Sequence, residues 1–162
     1  MRLYLAGPMR GHDHWNFPAF AVAAAALRAD GHEVFSPAEH DKTVGWSPFD
    51  GVEPTPEQLE RMFQWDLTAV TAGPRGVNYD RSRMDHQPVD AVVLLPGWTR
   101  SAGAKLEALV ARSCGLPLYR FDLGHSWHGS EHRHLRRIHP PTLEVKFVGE
   151  ELEGTLEKEQ WS

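Results

Sequence analysis

The chain has 162 residues, enough for one domain with a buried core, and its formal net charge of -5 argues against a general nucleic-acid binder. No long apolar run exists, so no membrane span is expected, and Met1-Arg2 leads into a strand without a signal-peptide pattern. The single cysteine, Cys114, excludes an internal disulfide; a reducing, cytoplasmic location follows, with the thiol expected to be buried on an apolar helix.

Arg2-Leu3-Tyr4-Leu5-Ala6 reads as the first strand. Gly7-Pro8-Met9-Arg10-Gly11 is the turn that leaves it. Its glycines let backbone N–H groups approach a ligand, and Arg10 offers a planar fork to phosphate or carboxylate. The plain alternative is an ordinary turn with a solvated arginine, and residue type alone favours it. Asn16 is placed as an N-cap with Pro18 in the first helical turn. Phe20, Ala23, Ala24 and Leu27 make the buried face, and Asp30-Gly31 closes the helix. Glu33-Val34-Phe35-Ser36 is the second strand, ended by Pro37, so the first forty residues make a βαβ unit.

Glu39, His40 and Asp41 then read as loop, either lining a crevice at the sheet end or solvated. Residues 42–54 form a long loop. Its Trp46 and Phe49 either stack on a flat ligand, as a lid does, or anchor the loop on the core. Thr55-Pro56-Glu57-Gln58 is a capping box with proline at N1. Leu59, Met62, Phe63, Leu67 and Val70 form the buried stripe of the helix. Asp66 lies on that stripe, and a lone acid there needs a partner or a purpose. Residues 71–88, basic through Arg75, Arg81 and Arg83, read as loop.

Val89-Asp90-Ala91-Val92-Val93-Leu94-Leu95, stopped by Pro96-Gly97, is a buried, parallel strand. Trp98, Ser101 and Gly103 make a polar turn. Ala104, Leu106, Ala108, Leu109, Val110 and Ala111 make a small-residue helix, and Leu116-Pro117-Leu118-Tyr119 starts the next strand. Glu107 lies about a turn into that helix. It is either a favourable helix-dipole charge or a catalytic carboxylate aimed into the crevice where strands end. Farther on, His125, His128, His132, His134 and His139 raise structural zinc. No cysteine accompanies them and no helical HExxH is present, so no metal is expected. Residues 142–148 alternate as an edge strand does, and the acidic end from Glu150 is a short helix or a frayed tail. The expected fold is a three-layer α/β sandwich with a parallel, flavodoxin-like sheet of four or five strands over residues 1–121. Residues 122–162 would then be a His-rich extension.

Tyr4-Leu5-Ala6-Gly7-Pro8 resembles the opening of the nucleoside 2-deoxyribosyltransferase-like superfamily. Residues 90–117 support this through Leu95-Pro96-Gly97-Trp98, the Ser101-x-Gly103-x-x-x-Glu107 pattern and Gly115-Leu116-Pro117. The nearest branch is an uncharacterised, often phage-borne one, related to the 2'-deoxynucleoside 5'-phosphate N-hydrolases. The resemblance spans about residues 1–121; the loop at 71–88 is longer than the pattern expects, and the tail has no counterpart in it. It implies cleavage or transfer of the N-glycosidic bond of 2'-deoxynucleosides or their 5'-monophosphates. Glu107 is then the nucleophile, Asp66 the acid or orienting group, and Tyr4 the aromatic hydroxyl beside them. Gly7, Pro8, Met9, Arg10 and Gly11 resemble a phosphate turn. Ser101 stands where transferases often carry aspartate and nucleotide hydrolases serine, with Trp98 and Gly103 beside it in the substrate turn. No cofactor is implied. The partners expected are a small nucleoside or nucleotide and a second copy of the chain, since a neighbouring subunit often completes such sites. A rival from another class is a non-catalytic nucleotide-binding sensor.

Overall fold

The computed structural model describes residues 1–72, 89–122 and 134–138, and the backbone of 146–148 and 151–153. Strand β1 (Arg2–Ala6) leads through helix α1 (Phe17–Ala29) to β2 (Glu33–Phe35). Helices α2 (Pro37–Thr43) and α3 (Pro56–Ala72) precede β3 (Ala91–Leu94). Helix α4 (Ala102–Ser113), β4 (Leu118–Phe121) and β5 (Leu135–Ile138) complete the main unit. The five strands lie in the order β2-β1-β3-β4-β5, the flavodoxin-like order. Four are parallel, and β5 runs antiparallel to β4.

The edge of the sheet corrects the sequence reading. Leu135–Ile138, inside the histidine-rich stretch, supplies the edge strand, and only one of its side chains, Leu135, is buried. An outer strand with one apolar anchor carries little periodic signal, so it passes for loop. Of the stretch 142–148, β6 (Lys146–Val148) pairs instead with β7 (Glu151–Glu153) in a separate two-stranded sheet. Residues 142–145, the 73–88 loop, the histidines at 125, 128, 132 and 139, and the end from 154 lie outside the described residues.

Alternation along β1 divides the interior. Leu3 and Leu5 face one cluster with Phe20, Ala23 and Leu27 of α1 and Val93 of β3. Tyr4 and Ala6 face the other, with Ala69 and Val70 of α3 and Ala104, Ala108 and Ala111 of α4. Helices on both faces of a mostly parallel sheet make three layers. The alanines matter because a helix face of small side chains can approach the strands closely and leave room for a tyrosine between them.

Local chemistry explains the elements and several departures. Thr55 and Gln58 form the reciprocal capping box at the start of α3: Gln58 N–H donates to Thr55 Oγ1 at 3.2 Å, and Thr55 N–H donates to Gln58 Oε1 at 2.9 Å. Asn16 precedes α1 but does not cap it. It lies at φ 60°, and its Nδ2 donates to the Pro8 carbonyl at 2.8 Å. His14 and Trp15 are left-handed as well, at φ 48° and 51°. Three such non-glycine residues in a row cost on the order of 1–2 kcal/mol each. Packing holds the turn. Trp15 meets Trp46 edge-on at 4.7 Å between ring centroids, and His14 stacks on Phe49 at 4.7 Å.

Trp46 is an anchor rather than a lid, buried with its indole N–H donating to the Val52 carbonyl at 2.7 Å. Phe49 of the same loop is 56% exposed. Phe63, expected in the buried stripe of α3, faces solvent, while Met62, Ala69 and Val70 are the buried positions. Cys114, expected to be buried, is exposed because it caps α4 at its carboxyl end, past the last residue of the apolar face. Residues 39–41, read as loop, lie in α2, a helix too short to show a periodic stripe.

Candidate functional site: a tyrosine between two buried carboxyls

The site lies in the layer between the sheet and α3 and α4. Tyr4 stands on β1 with no exposed surface, in register with Val92 on β3 and Phe35 on β2. Its Oη is 2.7 Å from Glu107 Oε1 and 2.9 Å from Asp66 Oδ1. Glu107 comes from α4 and is 7% exposed; Asp66 comes from α3 and is partly buried. Three separate elements therefore bring their polar groups to one oxygen.

The phenol has one proton, so it donates to one carboxylate at a time. The second short contact is satisfied when the other carboxyl is protonated and donates to the phenolic oxygen. Electrostatics agree. Burial pushes the Glu107 carboxyl well above the usual range, the negative charges of Asp66 and Asp41 push it further, and the Tyr4 hydrogen bond pulls it partly back. Burial likewise raises Asp66, again opposed by Tyr4. Burial first, then the two carboxylates, raises the Tyr4 hydroxyl, so the phenol keeps its proton. Two acids on one hydroxyl act as a unit that shares a proton.

Asp41 is the group that sequence reading placed in a loop. It lies on the buried side of α2, 3% exposed, and its Oδ1 has no hydrogen-bond partner among the described residues. Burial, and then the charge of Asp66, raises it to about 8. Ser36 Oγ, at the start of the same helix, is also buried and without a partner among the described residues. The signal for α2 was present: Ser36-Pro37 is an N-cap followed by proline at N1, with Ala38 and Asp41 three apart on one face. Beside Asp41, His40 stacks flat on Trp65 of α3 at 4.1 Å, and Trp65 tilts against Tyr4 at 6.1 Å. Burial lowers the His40 imidazole, which favours its neutral form.

The two turns of the sequence reading meet at the carboxyl ends of β1 and β3. Gly7 is required there: a Cβ would fall 2.9 Å from Leu95 Cβ. Gly97, at φ 83°, would carry a Cβ 3.5 Å from Pro8. Pro8 is buried and Met9 half-buried against the first cluster, while Arg10 and Gly11 are exposed. The Arg10 guanidinium lies 5.9 Å from the Trp15 ring centre, and the Arg100 guanidinium lies beside Gly97. Ser101 caps α4, its Oγ accepting from the Ala104 N–H at 3.3 Å, and Gly103 is exposed in the first turn. Trp98 is buried in the second cluster and serves as a wall under the turn. Thus Tyr4, Asp66 and Glu107 are in direct contact. The 7–11 turn follows the carboxyl end of β1, and residues 98–103 lead from the carboxyl end of β3 into α4, the helix that carries Glu107.

Fold and site define an α/β, Rossmann-like protein with a proton-sharing acid cluster beneath the carboxyl edge of its sheet. A family profile described as a domain of unknown function, DUF4406, matches residues 1–53 and 77–120, more than half of the chain, and the chain belongs to that family. Tyr4, Asp41 and Glu107 lie within the matched residues; Asp66 lies in the interval between them. No curated protein matches the chain.

Proposed function

We propose that the protein cleaves the N-glycosidic bond of 2'-deoxynucleosides or their 5'-monophosphates, with Glu107 as nucleophile and water or a second base as acceptor of the sugar. The observation that carries this reading is the Tyr4 hydroxyl held at 2.7 Å and 2.9 Å between Glu107 and Asp66 in a buried layer. The resemblance of residues 1–121 to the nucleoside 2-deoxyribosyltransferase-like superfamily supports it. Departure of the base builds positive charge on the sugar, and a carboxylate beneath the ring stabilises that charge or captures it covalently. A buried carboxylate does this better than a solvated one because no water screens it.

The chemistry needs Glu107 ionised at the moment of attack. Tyr4 supplies a route. The Glu107 proton passes to the phenolic oxygen as the phenolic proton passes to Asp66, so charge moves onto Glu107 while the total stays fixed. The arriving electron-poor sugar favours that arrangement. Glu107 then forms a bond to the anomeric carbon, the carbon–nitrogen bond breaks, and its electron pair leaves with the base. Water or another base attacks the same carbon and frees Glu107.

These two turns suit an anionic substrate end. Backbone N–H groups of the 7–11 turn and the Arg10 fork suit one phosphate, and the Ser101 hydroxyl keeps its own proton to donate. Among the described residues, no helix is long and apolar enough to cross a membrane. The reading is of a cytoplasmic enzyme acting as a homodimer or larger assembly, with the exposed Phe49 and Val52 suited to burial against a second copy. Sedimentation at micromolar concentration checks the assembly; a fully active monomer contradicts it. The test of activity is release of free base from a panel of deoxynucleosides and monophosphates. Release by the wild type supports the reading. Binding of a panel member without release favours a sensor.

A further inference from the structure

The proton for the departing base needs a source, and Asp66 is already committed to Tyr4. We infer that Asp41 is the general acid of the site, a catalytic residue that gives its proton to the leaving base. This rests on the base-release reading above. Asp41 is 3% exposed, its Oδ1 has no partner among the described residues, and it lies within the electrostatic reach of both Asp66 and Glu107. An enclosed carboxyl with an unmet oxygen costs stability. A site keeps such a group when the substrate supplies the missing partner.

Its surroundings hold it in the acid form. Asp66 of α3 acts on it with like charge, and Glu107 of α4, which burial holds neutral, adds no positive charge. The nearby cations are turned elsewhere: Arg28 of α1 pairs with Glu39 at 2.7 Å, and Lys42 lies over the Phe17 ring. His40 is stacked on Trp65 and favours the neutral form. Tyr4 keeps its proton. Burial first, and then the charge of Asp66, place the ionisation of Asp41 at about 8, so its proton is present at neutral pH and ready to leave. In the first step the Asp41 O–H proton goes to the base nitrogen that receives the electron pair of the broken bond. In the second, the attacking water gives a proton back to the Asp41 carboxylate as its oxygen bonds the anomeric carbon and Glu107 departs. Protons and electrons balance over the two steps.

The test separates a group that protonates the base from one that merely supports α2. 2'-Deoxyguanosine 5'-monophosphate needs a proton on its leaving base. The 7-methyl derivative already carries a positive charge on the base and leaves without one. Asp41→Asn should slow base release from the first by about a hundredfold or more, a usual range for a lost general acid, and should lose at least tenfold less on the second. Wild-type kcat/KM for the unmethylated substrate should fall as pH rises through about 8, whereas the methylated one should follow only the ionisation of its own N1–H, determined by titrating the free substrate. The wild-type profiles decide the matter even where the variant fails to fold. Equal losses on both substrates, or an alkaline limb on the methylated one beyond that of its own N1–H, overturns the acid role while leaving base release intact. A wild type that releases base from neither substrate contradicts the underlying reading as well. A stability series completes the test. A carboxyl raised in the folded state stabilises below its unfolded value and loses that contribution as pH rises through the folded one. Wild-type stability should therefore decline up to about 8, and Asp41→Asn should flatten the decline.

Discussion

The two faces of β1 bury different side chains, and the consequences diverge. Leu3 and Leu5 point into a cluster of aliphatic and aromatic side chains against α1. Tyr4 and Ala6, one step away on the same strand, point into a cluster of similar size against α3 and α4. On the first face burial is simply favourable. On the second, Tyr4 brings a hydroxyl into a buried layer, and Asp66 and Glu107 bring carboxyls to meet it. Burial there works against the charged forms, and only the shared proton makes the arrangement tolerable. One face stabilises the fold. The other uses stability to keep acids in unusual protonation states, which is a mark of functional sites.

Substitutions on the two faces should break activity and stability separately. Glu107→Gln should have the largest effect, a loss of base release of roughly a thousandfold or more, as for removal of a covalent nucleophile or main electrostatic stabiliser. Thermal unfolding should show the fold unchanged or slightly firmer, since a neutral amide replaces a group that burial holds neutral. Leu5→Ala should do the reverse. Its truncation in the apolar cluster should cost about 2–5 kcal/mol in urea unfolding and leave kcat per folded molecule unaltered. A fall in kcat there would join the two faces. Tyr4→Phe should sharpen the contrast by removing a single oxygen. Base release should fall by about a hundredfold, the scale of one lost charge-assisted hydrogen bond, and its pH optimum should move because the two acids no longer share a hydroxyl. Arg10→Ala, in the 7–11 turn, should have the narrowest effect. Monophosphate kcat/KM should drop by about tenfold to a hundredfold with one charged hydrogen bond lost, and nucleoside kcat/KM should hardly change. Equal losses on both substrates would remove the anion role from the 7–11 turn.

Much of this was readable from the residues, for identifiable reasons. Asp66 is an acid on an apolar helix stripe, while Tyr4 was marked by the resemblance that Tyr4-Leu5-Ala6-Gly7-Pro8 carries and not by the pattern of its strand. Glu107 follows a turn at the end of the central strand. Asp66 breaks a periodic pattern and Glu107 stands where a strand-end turn presents groups to a crevice, and both signals are local enough to be visible. The capping box of α3 has a local signature and was legible for that reason. Asp41 breaks no pattern, because seven residues of α2 are too few to set one; its burial comes from the packing of α2 on α1 and α3. The left-handed turn at residues 14–16 was hidden for a similar reason. Trp46 and Phe49, thirty residues away, make it possible, and neither propensity nor spacing reports on them. The antiparallel edge strand β5 was missed because tertiary pairing with β4, rather than its own composition, makes it a strand.

The central claim is that Glu107 forms a bond to the sugar on the Tyr4 face of the sheet. Rapid acid quench of the protein during turnover, followed by peptide mass spectrometry, tests it most directly. A deoxyribosyl mass, or its 5'-phosphate, on the peptide containing Glu107, appearing as free base is released and absent from Glu107→Gln, is the predicted result. Undiminished base release by Glu107→Gln, or the sugar on another residue, would contradict the account.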